Sequence, residues 1–168
     1  MLTKEKPQIC QLSEIHLLEM MEIQKICFDE VHQENLFVYE TLIKVFPNGA
    51  WGAFYDDRLI GYIFFHPYKN QTHKPLNSKL VLKGDEDCMY LHEIAILPQY
   101  RSQHIPSYFI KEFDYISKQH QMSHQSLVSV QNSRNFWEKK GFSVIKYINE
   151  DGYSGGVLMV KSMQAYLV

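Results

Sequence analysis

The sequence lacks the cysteine pattern of a disulfide-stabilised or zinc-binding domain. Its three cysteines, Cys10, Cys27 and Cys88, lie far apart, and no CxxC spacing occurs. This cysteine content fits a reduced, cytoplasmic setting, which is the location that we expect. The eight histidines are also dispersed and show no metal-ligand spacing, so we expect no metal site.

The chain also lacks an excess of positive charge and any long apolar run. Lys and Arg together number 17 and Asp and Glu number 19, which gives a net charge of −2. Domains that bind nucleic acid generally carry a basic surplus, so nucleic acid is not an expected partner. No window approaches the ~20 apolar residues of a membrane span, and the start of the chain holds no apolar run long enough for a signal peptide. A membrane partner is therefore not expected either.

What the sequence has is the material for a hydrophobic core. Hydrophobic residues make up 45% and aromatic residues 14% of the 168 residues, and a disordered chain does not carry such a composition. No repeat and no low-complexity tract divides the chain. We therefore expect residues 1–168 to form a single domain.

Hydrophobic periodicity and turn residues predict the element order β-α-α-β-β-β-α-β-α-β-β. Strands are predicted over residues 8–13, 50–56, 58–68, 88–97, 125–130, 142–148 and 156–162, and helices over residues 14–31, 35–46, 105–120 and 133–141. This order indicates a mixed α/β fold of the α+β type with one sheet, and not a doubly wound parallel fold.

Two connections and one strand matter most for the site. The pair Asp56-Asp57 predicts a hairpin between the second and third strands, and residues 70–87 predict a long surface loop. The run from Cys88 to Leu97 is mostly apolar, which is typical of a central strand that is covered on both faces.

The segment ILPQYRSQHIPSYFI begins at Ile96 and predicts a strand end, a short loop and the start of a helix. A loop in this position commonly binds phosphate, because the free N–H groups at a helix N-terminus converge on an anion. Such loops usually contain glycine, whereas this one has Ser102, His104 and Pro106. The pattern leaves two interpretations open, a phosphate-binding loop without glycines and a simple turn.

Three stretches together resemble the GNAT superfamily of acyl-coenzyme-A-dependent N-acyltransferases. IAILPQYR resembles the family's central strand and the start of its Arg-Gly-x-Gly-x-Gly/Ala loop, FWEKKGF resembles its Phe-Tyr-x-x-x-Gly-Phe, and GAFYDDRLIGYIFFHP resembles its middle strands. The stretch LHEIA further resembles a subgroup with a Leu-His-Asp/Glu central strand. The resemblance covers about residues 10–161. It implies a single domain with one central, mostly antiparallel sheet that is flanked by helices.

The resemblance also implies a coenzyme, acetyl-CoA, and the residues that bind it. The main chain of Ile94 and Ile96 would contact the pantetheine amides if the central strand separates from its neighbour there. The other coenzyme-binding residues that the resemblance implies are Arg101, Ser102, Gln103, His104, Ile105, Pro106, Ser107, Asn132 and Phe136. Asn132 has an alternative role as a helix N-cap, and Phe136 has an alternative role in the core.

The loop departs from the family pattern at three positions. Ser102 and His104 stand where the family usually has Gly, and Pro106 stands where it has Gly or Ala. Serine and histidine keep the N–H that a phosphate needs, provided that the main chain reaches a shape that glycine adopts easily. Proline has no N–H, so one donor is lost, at a cost of roughly 1.5–3 kcal/mol of binding free energy. Arg101, and His104 if protonated, would offset that loss by pairing with phosphate.

Acyl transfer to an amine needs a base, and the central strand offers two candidates. His92 and Glu93 lie midway along it, and each has a structural alternative, which is a hydrogen bond to a carbonyl for His92 and a cation partner for Glu93. Adjacent residues of a strand point to opposite faces, so we expect at most one of the two to face the acceptor. The family's usual tyrosine, often proposed to protonate the thiolate, is Trp137 here. Because an indole N–H is a poor acid, Tyr153 is the candidate substitute.

These expectations combine into one function and one alternative. The expected function is transfer of an acetyl group from acetyl-CoA to a primary amine by direct attack. The acceptor is a small molecule or a peptide, and the protein is a monomer or a homodimer. The alternative is a catalytically degenerate GNAT-like domain that serves as an acyl-CoA sensor or a protein-binding module. Ser102, His104, Pro106 and Trp137 favour the alternative, whereas Arg101 and the central strand favour the enzyme.

Overall fold

The computed structural model of the protein describes residues 5–164, and the elements in that range follow the predicted order. In chain order they are β1 (Gln8–Gln11), α1 (Leu17–Cys27), α2 (Leu36–Val45), β2 (Ala50–Tyr55), β3 (Arg58–Tyr68), β4 (Cys88–Ile96), α3 (Ile105–Gln119), β5 (His124–Ser129), α4 (Arg134–Lys139), β6 (Ser143–Ile148) and β7 (Gly156–Ser162). Short 3₁₀ turns precede α1, α2 and β2 and follow β4.

The strands form one sheet in the order β1-β2-β3-β4-β5-β7-β6. Neighbouring strands are antiparallel except for β4 and β5, which run parallel. The hairpin between β2 and β3 turns at Asp56 and Asp57, whose φ angles are 46° and 61°, as a two-residue type I′ turn requires. The prediction of a mixed fold with one mostly antiparallel sheet is confirmed.

The helices cover both faces of the sheet. On one face Met20 of α1 and Tyr39 of α2 pack with Tyr62 of β3, and on the other Phe109 and Phe113 of α3 belong to the core that includes α4. Each such side chain contributes roughly 1.5–3 kcal/mol to stability through burial. Within residues 5–164, no helix combines the length and the apolar character that crossing a bilayer demands.

The first helix ends earlier than its periodicity predicts. Phe28 leaves α1 with extended backbone angles, φ −120° and ψ 144°, and a 3₁₀ turn follows at Glu30–His32. No glycine or proline marks this end in the sequence, so the prediction extended the helix to Val31. The consequence is a segment without α-helix, residues 28–35, between α1 and α2.

The parallel strands β4 and β5 pair only over their first part. The last registered pair is Leu91 with Leu127, whereas β4 continues to Ile96 and β5 stays paired with β7 as far as Ser129. The strands therefore diverge and open a wedge in the middle of the sheet. At Ile94, β4 is thus separated from β5, as the predicted contacts of its main chain with the coenzyme require.

Candidate active site

The wedge between β4 and β5 is a cleft of about 450 Å³. Eight of the predicted site residues line it, namely His92, Glu93, Ile94, Ile96, Arg101, Pro106, Phe136 and Tyr153. The other six, Ser102, Gln103, His104, Ile105, Ser107 and Asn132, are not among its lining residues. We call the part near Arg101 and Pro106 the loop end, and the part near Glu34 and His92 the acid end.

At the loop end, the chain after β4 adopts a shape that is typical of glycine. His104 has left-handed backbone angles, φ 58° and ψ 22°, at the N-cap of α3, which costs a non-glycine residue roughly 1–2 kcal/mol. Ser107 donates its N–H to the His104 carbonyl at 3.1 Å. The N–H groups of Ser102, His104 and Ile105 donate to no residue within 5–164. Three free donors at a helix N-terminus form a surface that favours an anion.

Two further features fix this loop. Pro106 lies in the first turn of α3, where its ring suits the helix but supplies no N–H. The Tyr55 hydroxyl donates to Gln103 Oε1 at 2.7 Å. The side chain of Gln103 therefore anchors the loop to the end of β2.

Main-chain groups of β4 face the cleft, and one of them is already occupied. The Ile96 carbonyl accepts the Arg101 Nε–H at 3.1 Å and lies 3.4 Å from Cys27 Sγ. Burial raises the pKa of the Cys27 thiol although Arg101 opposes the shift, so Cys27 is a hydrogen-bond donor here rather than a nucleophile. By the alternation of a strand, Ile94 directs its N–H and C=O to the same edge. The predicted coenzyme contact is therefore open at Ile94, whereas the oxygen of Ile96 has partners.

A β-bulge in β4 turns His92 and Glu93 to the same side of the sheet. Phe64 pairs with Glu93 and the next residue of β3 pairs with Leu91, so His92 has no partner across the ladder. The Glu93 carboxyl contacts the Tyr39 hydroxyl, and the His92 ring lies 6.0 Å from the ring of the same tyrosine. The expectation that the two side chains point to opposite faces was wrong, because strict alternation holds only in a regular strand.

Glu93 is a buried carboxyl with two hydroxyl partners. The hydroxyls of Tyr39 and Tyr62 lie 2.7 and 2.8 Å from its Oε2. Burial, reinforced by the negative charge of Glu34, raises the pKa of Glu93 to about 8, although both hydrogen bonds oppose the shift. A carboxyl with that pKa exchanges protons near neutral pH.

Glu34, which the sequence did not single out, forms a buried pair with His92. Glu34 Oε2 lies 2.5 Å from His92 Nε2, and each side chain is 2% exposed. Burial acts to raise the pKa of Glu34, but the positive charge that His92 carries when protonated, the hydrogen bond to His92 and the N–H of Asn77 outweigh it and hold that pKa below its ordinary value. Glu34 belongs to the segment 28–35, whose place depends on where α1 ends, so no local motif marks it.

The long loop between β3 and β4 packs against the acid end. Lys74 is 1% exposed, and its ammonium donates to the carbonyl and the hydroxyl of Ser78. Asn77 donates its N–H to Glu34 Oε1 at 2.8 Å and accepts the Asn35 N–H at 2.9 Å. These contacts tie the loop to the segment 28–35.

Tyr153 reaches the cleft from the loop between β6 and β7. Its hydroxyl donates to the Lys74 carbonyl at 3.2 Å. Burial, followed by the effect of Tyr90, raises the pKa of Tyr153 well above its ordinary value, so the hydroxyl keeps its proton. In the same loop, the carboxylate of Asp151 lies 2.7 Å from Nε2 of His73, which belongs to the loop between β3 and β4.

Asn132 does not cap α4, which was one of the two roles expected for it. Asn132 is exposed, and the N-cap of α4 is Ser133, one residue later. The preceding residue, Gln131, reaches across the cleft instead: its Oε1 accepts the Asp29 N–H at 2.9 Å and its Nε2 donates to the Cys27 carbonyl at 3.1 Å. Phe136 lines the cleft, with its ring 4.9 Å from that of Trp137.

A comparison with protein families decides what kind of chain this is. The model of the acetyltransferase (GNAT) family matches residues 17–142, which is well over half of the 168 residues. The chain belongs to the GNAT family. No curated protein matches this GNAT chain in sequence.

Solved structures share the GNAT fold at low identity. Ard1 from Thermoplasma volcanium is 12% identical with a TM-score of 0.76, over 96% of this chain and 100% of that one. Naa50 from Arabidopsis thaliana, in complex with the bisubstrate analogue CoA-Ac-MVNAL, is 19% identical with a TM-score of 0.71, over 95% and 100%. The GNAT-like decarboxylase GphF, in complex with isobutyryl-CoA, is 10% identical with a TM-score of 0.73, over 92% and 98%. At these identities the likeness shows the fold alone, and the fold serves more than one chemistry.

Sequence reasoning missed several residues that line this GNAT cleft, among them three with polar side chains. They are Glu34, Gln131 and His32. His32 is 7% exposed, and neither of its ring nitrogens has a hydrogen-bond partner in the part of the chain that the structure describes. Each lies in a connection between elements, where periodicity carries no information about which way a side chain points.

Proposed function

We propose that this GNAT protein is an N-acetyltransferase that transfers the acetyl group of acetyl-CoA to a primary amine by direct attack. The observation that carries the proposal is that one cleft joins an anion-binding helix start to a buried cluster of carboxyl and imidazole groups. Naa50 was solved with an analogue that joins CoA to a peptide, which supports testing peptide amines beside small amines as acceptors. A monomeric or homodimeric active form stays a prediction.

The loop end fits a diphosphate. The free N–H groups of Ser102, His104 and Ile105 would hold it, and the guanidinium of Arg101 would add charge. The main chain of Ile94 would bind the pantetheine amides, and Phe136 would flank the arm. When bound, acetyl-CoA supplies a thioester carbonyl carbon to which an amine adds.

The acid end fits the proton transfers that the reaction needs. An ammonium acceptor first gives one proton to a base, for which His92 and Glu93 are the candidates. The C–N bond then forms, the C–S bond breaks, and the second proton of the nitrogen ends on the CoA thiol. Tyr153, whose hydroxyl keeps its proton, is the candidate donor to that thiol.

Calorimetric titration with acetyl-CoA and with CoA tests the first half of the proposal. We expect micromolar affinity, and we expect Arg101→Ala to weaken it about tenfold through loss of a charge-assisted hydrogen bond. Arg58→Ala, which removes an exposed arginine in the hairpin, is the matched control and should change nothing. No binding at millimolar coenzyme would favour the alternative, a degenerate domain that binds a partner protein.

A panel of amines with thiol release as the readout tests the second half. The panel contains small primary amines and short peptides with free N-termini. We expect at least one amine to stimulate thiol release and to gain an acetyl group, as judged by mass. Coenzyme binding without acetylation of any amine would favour the acyl-CoA sensor.

A further inference from the structure

The bulge in β4 brings the two candidate bases, His92 and Glu93, to the same side of the sheet. Their hydrogen bonds indicate a different role for each of them. We propose that His92 Nδ1 is the base that takes the acceptor's proton, and that Glu34 is the positioning residue that leaves this nitrogen free. Glu93 then acts as a neutral carboxyl. This inference rests on the proposed function for the identity of the reaction, but its geometry is a property of the resting protein.

The contact with Glu34 fixes which nitrogen of His92 carries hydrogen. An ionised carboxylate only accepts hydrogen bonds, so the short contact between Glu34 Oε2 and His92 Nε2 requires the proton on Nε2. In the neutral ring the other nitrogen, Nδ1, is then bare and has a lone pair. Both side chains are buried, so water does not compete for this contact.

Glu34 is held rigidly enough to enforce that choice. Its second oxygen accepts the Asn77 N–H at 2.8 Å. The side-chain amide of Gln24 holds the main chain of Glu34. Its Oε1 accepts the Glu34 N–H and its Nε2 donates to the Glu34 carbonyl, both at 3.0 Å. Glu34 therefore has little freedom to turn away from the imidazole.

The free nitrogen of His92 needs a partner that the protein does not supply. Nδ1 is buried and has no hydrogen-bond partner within residues 5–164, an arrangement that is uncommon in folded proteins. His92 lines the cleft, so an acceptor amine, or a water molecule between the amine and the ring, would have to reach the buried Nδ1 from the cleft. Proton transfer from the acceptor leaves His92 as an imidazolium that faces the Glu34 carboxylate.

The hydrogen bonds of Glu93 indicate a neutral carboxyl. The Tyr39 hydroxyl lies 2.5 Å from Gln24 Oε1 and 2.7 Å from Glu93 Oε2. The contacts to Glu34 orient Gln24 with its oxygen as an acceptor. The single Tyr39 proton can serve only one of the two oxygens, and we assign it to Gln24 because that contact is the shorter one. A hydrogen bond between Tyr39 and Glu93 then needs a proton on Glu93. A carboxyl that is already protonated is not available to accept the proton of an ammonium.

Four groups with charge or a titratable proton lie beside His92, namely Glu34 in the segment 28–35, Tyr39 on α2, His66 on β3 and its chain neighbour Glu93 on β4. A fifth, Lys74 in the loop 69–87, acts on two of these neighbours, Glu34 and His66. Burial holds the pKa of His66 well below its ordinary value, and a protonated His92 would lower it further, so this second imidazole stays neutral. Among these groups, Glu34 alone makes a hydrogen bond to the His92 ring in the described part of the chain.

The resting protein provides the first test, which needs no acceptor. Two-bond ¹⁵N–¹H correlation spectra distinguish protonated from bare imidazole nitrogens, and His92→Gln identifies the His92 signals by their loss. We expect the neutral ring to carry hydrogen on Nε2 and none on Nδ1. Hydrogen on Nδ1 of the neutral ring would overturn the proposal, whether or not the protein proves to be an acetyltransferase.

The second test is Glu34→Gln in the acetylation assay. The amide would accept the Asn77 N–H with its oxygen and offer its NH₂ to His92 Nε2, which shifts the ring to the wrong tautomer. We expect kcat to fall about 100-fold, with coenzyme affinity unchanged and the ¹⁵N spectrum showing hydrogen on Nδ1. Glu34→Asp should restore the wild-type tautomer and part of kcat.

Asn77→Gly is the matched control for loop anchoring. It removes the side-chain amide that holds Asn35, keeps the N–H that donates to Glu34, and suits the left-handed angle at this position, φ 58°. We expect the tautomer of His92 and the pH profile of kcat to be unchanged. If Asn77→Gly reproduces the loss of Glu34→Gln, Glu34 only anchors the loop and the proposal fails.

Glu93→Gln separates the two candidate bases. A glutamine resembles a neutral carboxyl, so we expect it to lower kcat less than tenfold, whereas His92→Gln lowers kcat about 100-fold. A larger loss with Glu93→Gln than with His92→Gln assigns the base to Glu93 and contradicts the inference. Failure of wild-type protein to acetylate any amine is a failure of the proposed function, and the tautomer measurement still decides the inference.

Discussion

The two ends of the cleft use different chemical groups. The loop end offers main-chain N–H groups from Ser102, His104 and Ile105, and the side chains of the first two are exposed. The acid end offers side chains that are buried and fixed by one another, with Glu34 and His92 each 2% exposed. A site made of main chain tolerates many side chains as long as the backbone keeps its shape. A site made of buried side chains tolerates few.

This difference explains how the loop after β4 can lack the family's glycines and still keep a backbone shape that offers free N–H groups. Histidine at position 104 adopts the left-handed angles that glycine usually supplies, at a cost of roughly 1–2 kcal/mol. The cost falls on the stability of the loop and not on the number of donors. Only Pro106 removes a donor.

The largest expected effect lies at the acid end and concerns stability. Burial raises the pKa of Glu93 from 4.5 to about 8, so between these pH values the folded protein holds a proton that the unfolded chain has lost. The unfolding free energy should therefore fall as pH rises through this window, by up to about 1.4 kcal/mol per pH unit. Denaturant unfolding of wild type and of Glu93→Gln from pH 5 to pH 8 measures the difference. Equal slopes for the two proteins would mean that Glu93 is ionised in the folded state.

The next effect lies at the loop end and concerns main-chain shape. His104→Pro forces φ near −65° and removes an N–H, so we expect coenzyme affinity to fall about 100-fold. His104→Asn keeps the N–H and tolerates left-handed angles, so it should bind like wild type. Calorimetry measures both variants. If His104→Asn loses as much affinity as His104→Pro, the imidazole itself binds the coenzyme and the main-chain account of this end is wrong.

The smallest expected effect is a gain in coenzyme affinity at the loop end. Replacing both Ser102 and His104 by glycine removes side chains that crowd the free N–H groups and suits the left-handed angle. We expect coenzyme affinity to rise about threefold, a change of roughly 0.7 kcal/mol. Unchanged affinity in the double variant would indicate that no ligand approaches these donors closely.

The sequence predicted the scaffold well because the scaffold follows local patterns. Hydrophobic periodicity and turn residues predicted the order of the α-helices and strands, and the apolar run from Cys88 to Leu97 identified the central strand. The loop after it was identified because a strand, a short connection and a helix start are each visible in the sequence. These features depend on residues close together in the chain.

The acid end was predicted less completely because it depends on distant parts of the chain. The bulge at His92 is a matter of register between β3 and β4, which no local pattern of β4 reveals. Glu34 meets His92 across 58 positions of sequence, and only because α1 ends at Cys27. The prediction that Asn132 caps α4 was wrong by one residue, because the N-cap is Ser133. An error of that size is usual at the boundary of an element.

The most direct test of the central claim is a crystal structure of the protein soaked with saturating acetyl-CoA. We expect a diphosphate on the N–H groups of Ser102, His104 and Ile105, with the pantetheine arm between β4 and β5 and the thioester at the His92 end of the cleft. A loop and a cleft that hold no coenzyme under these conditions would contradict it.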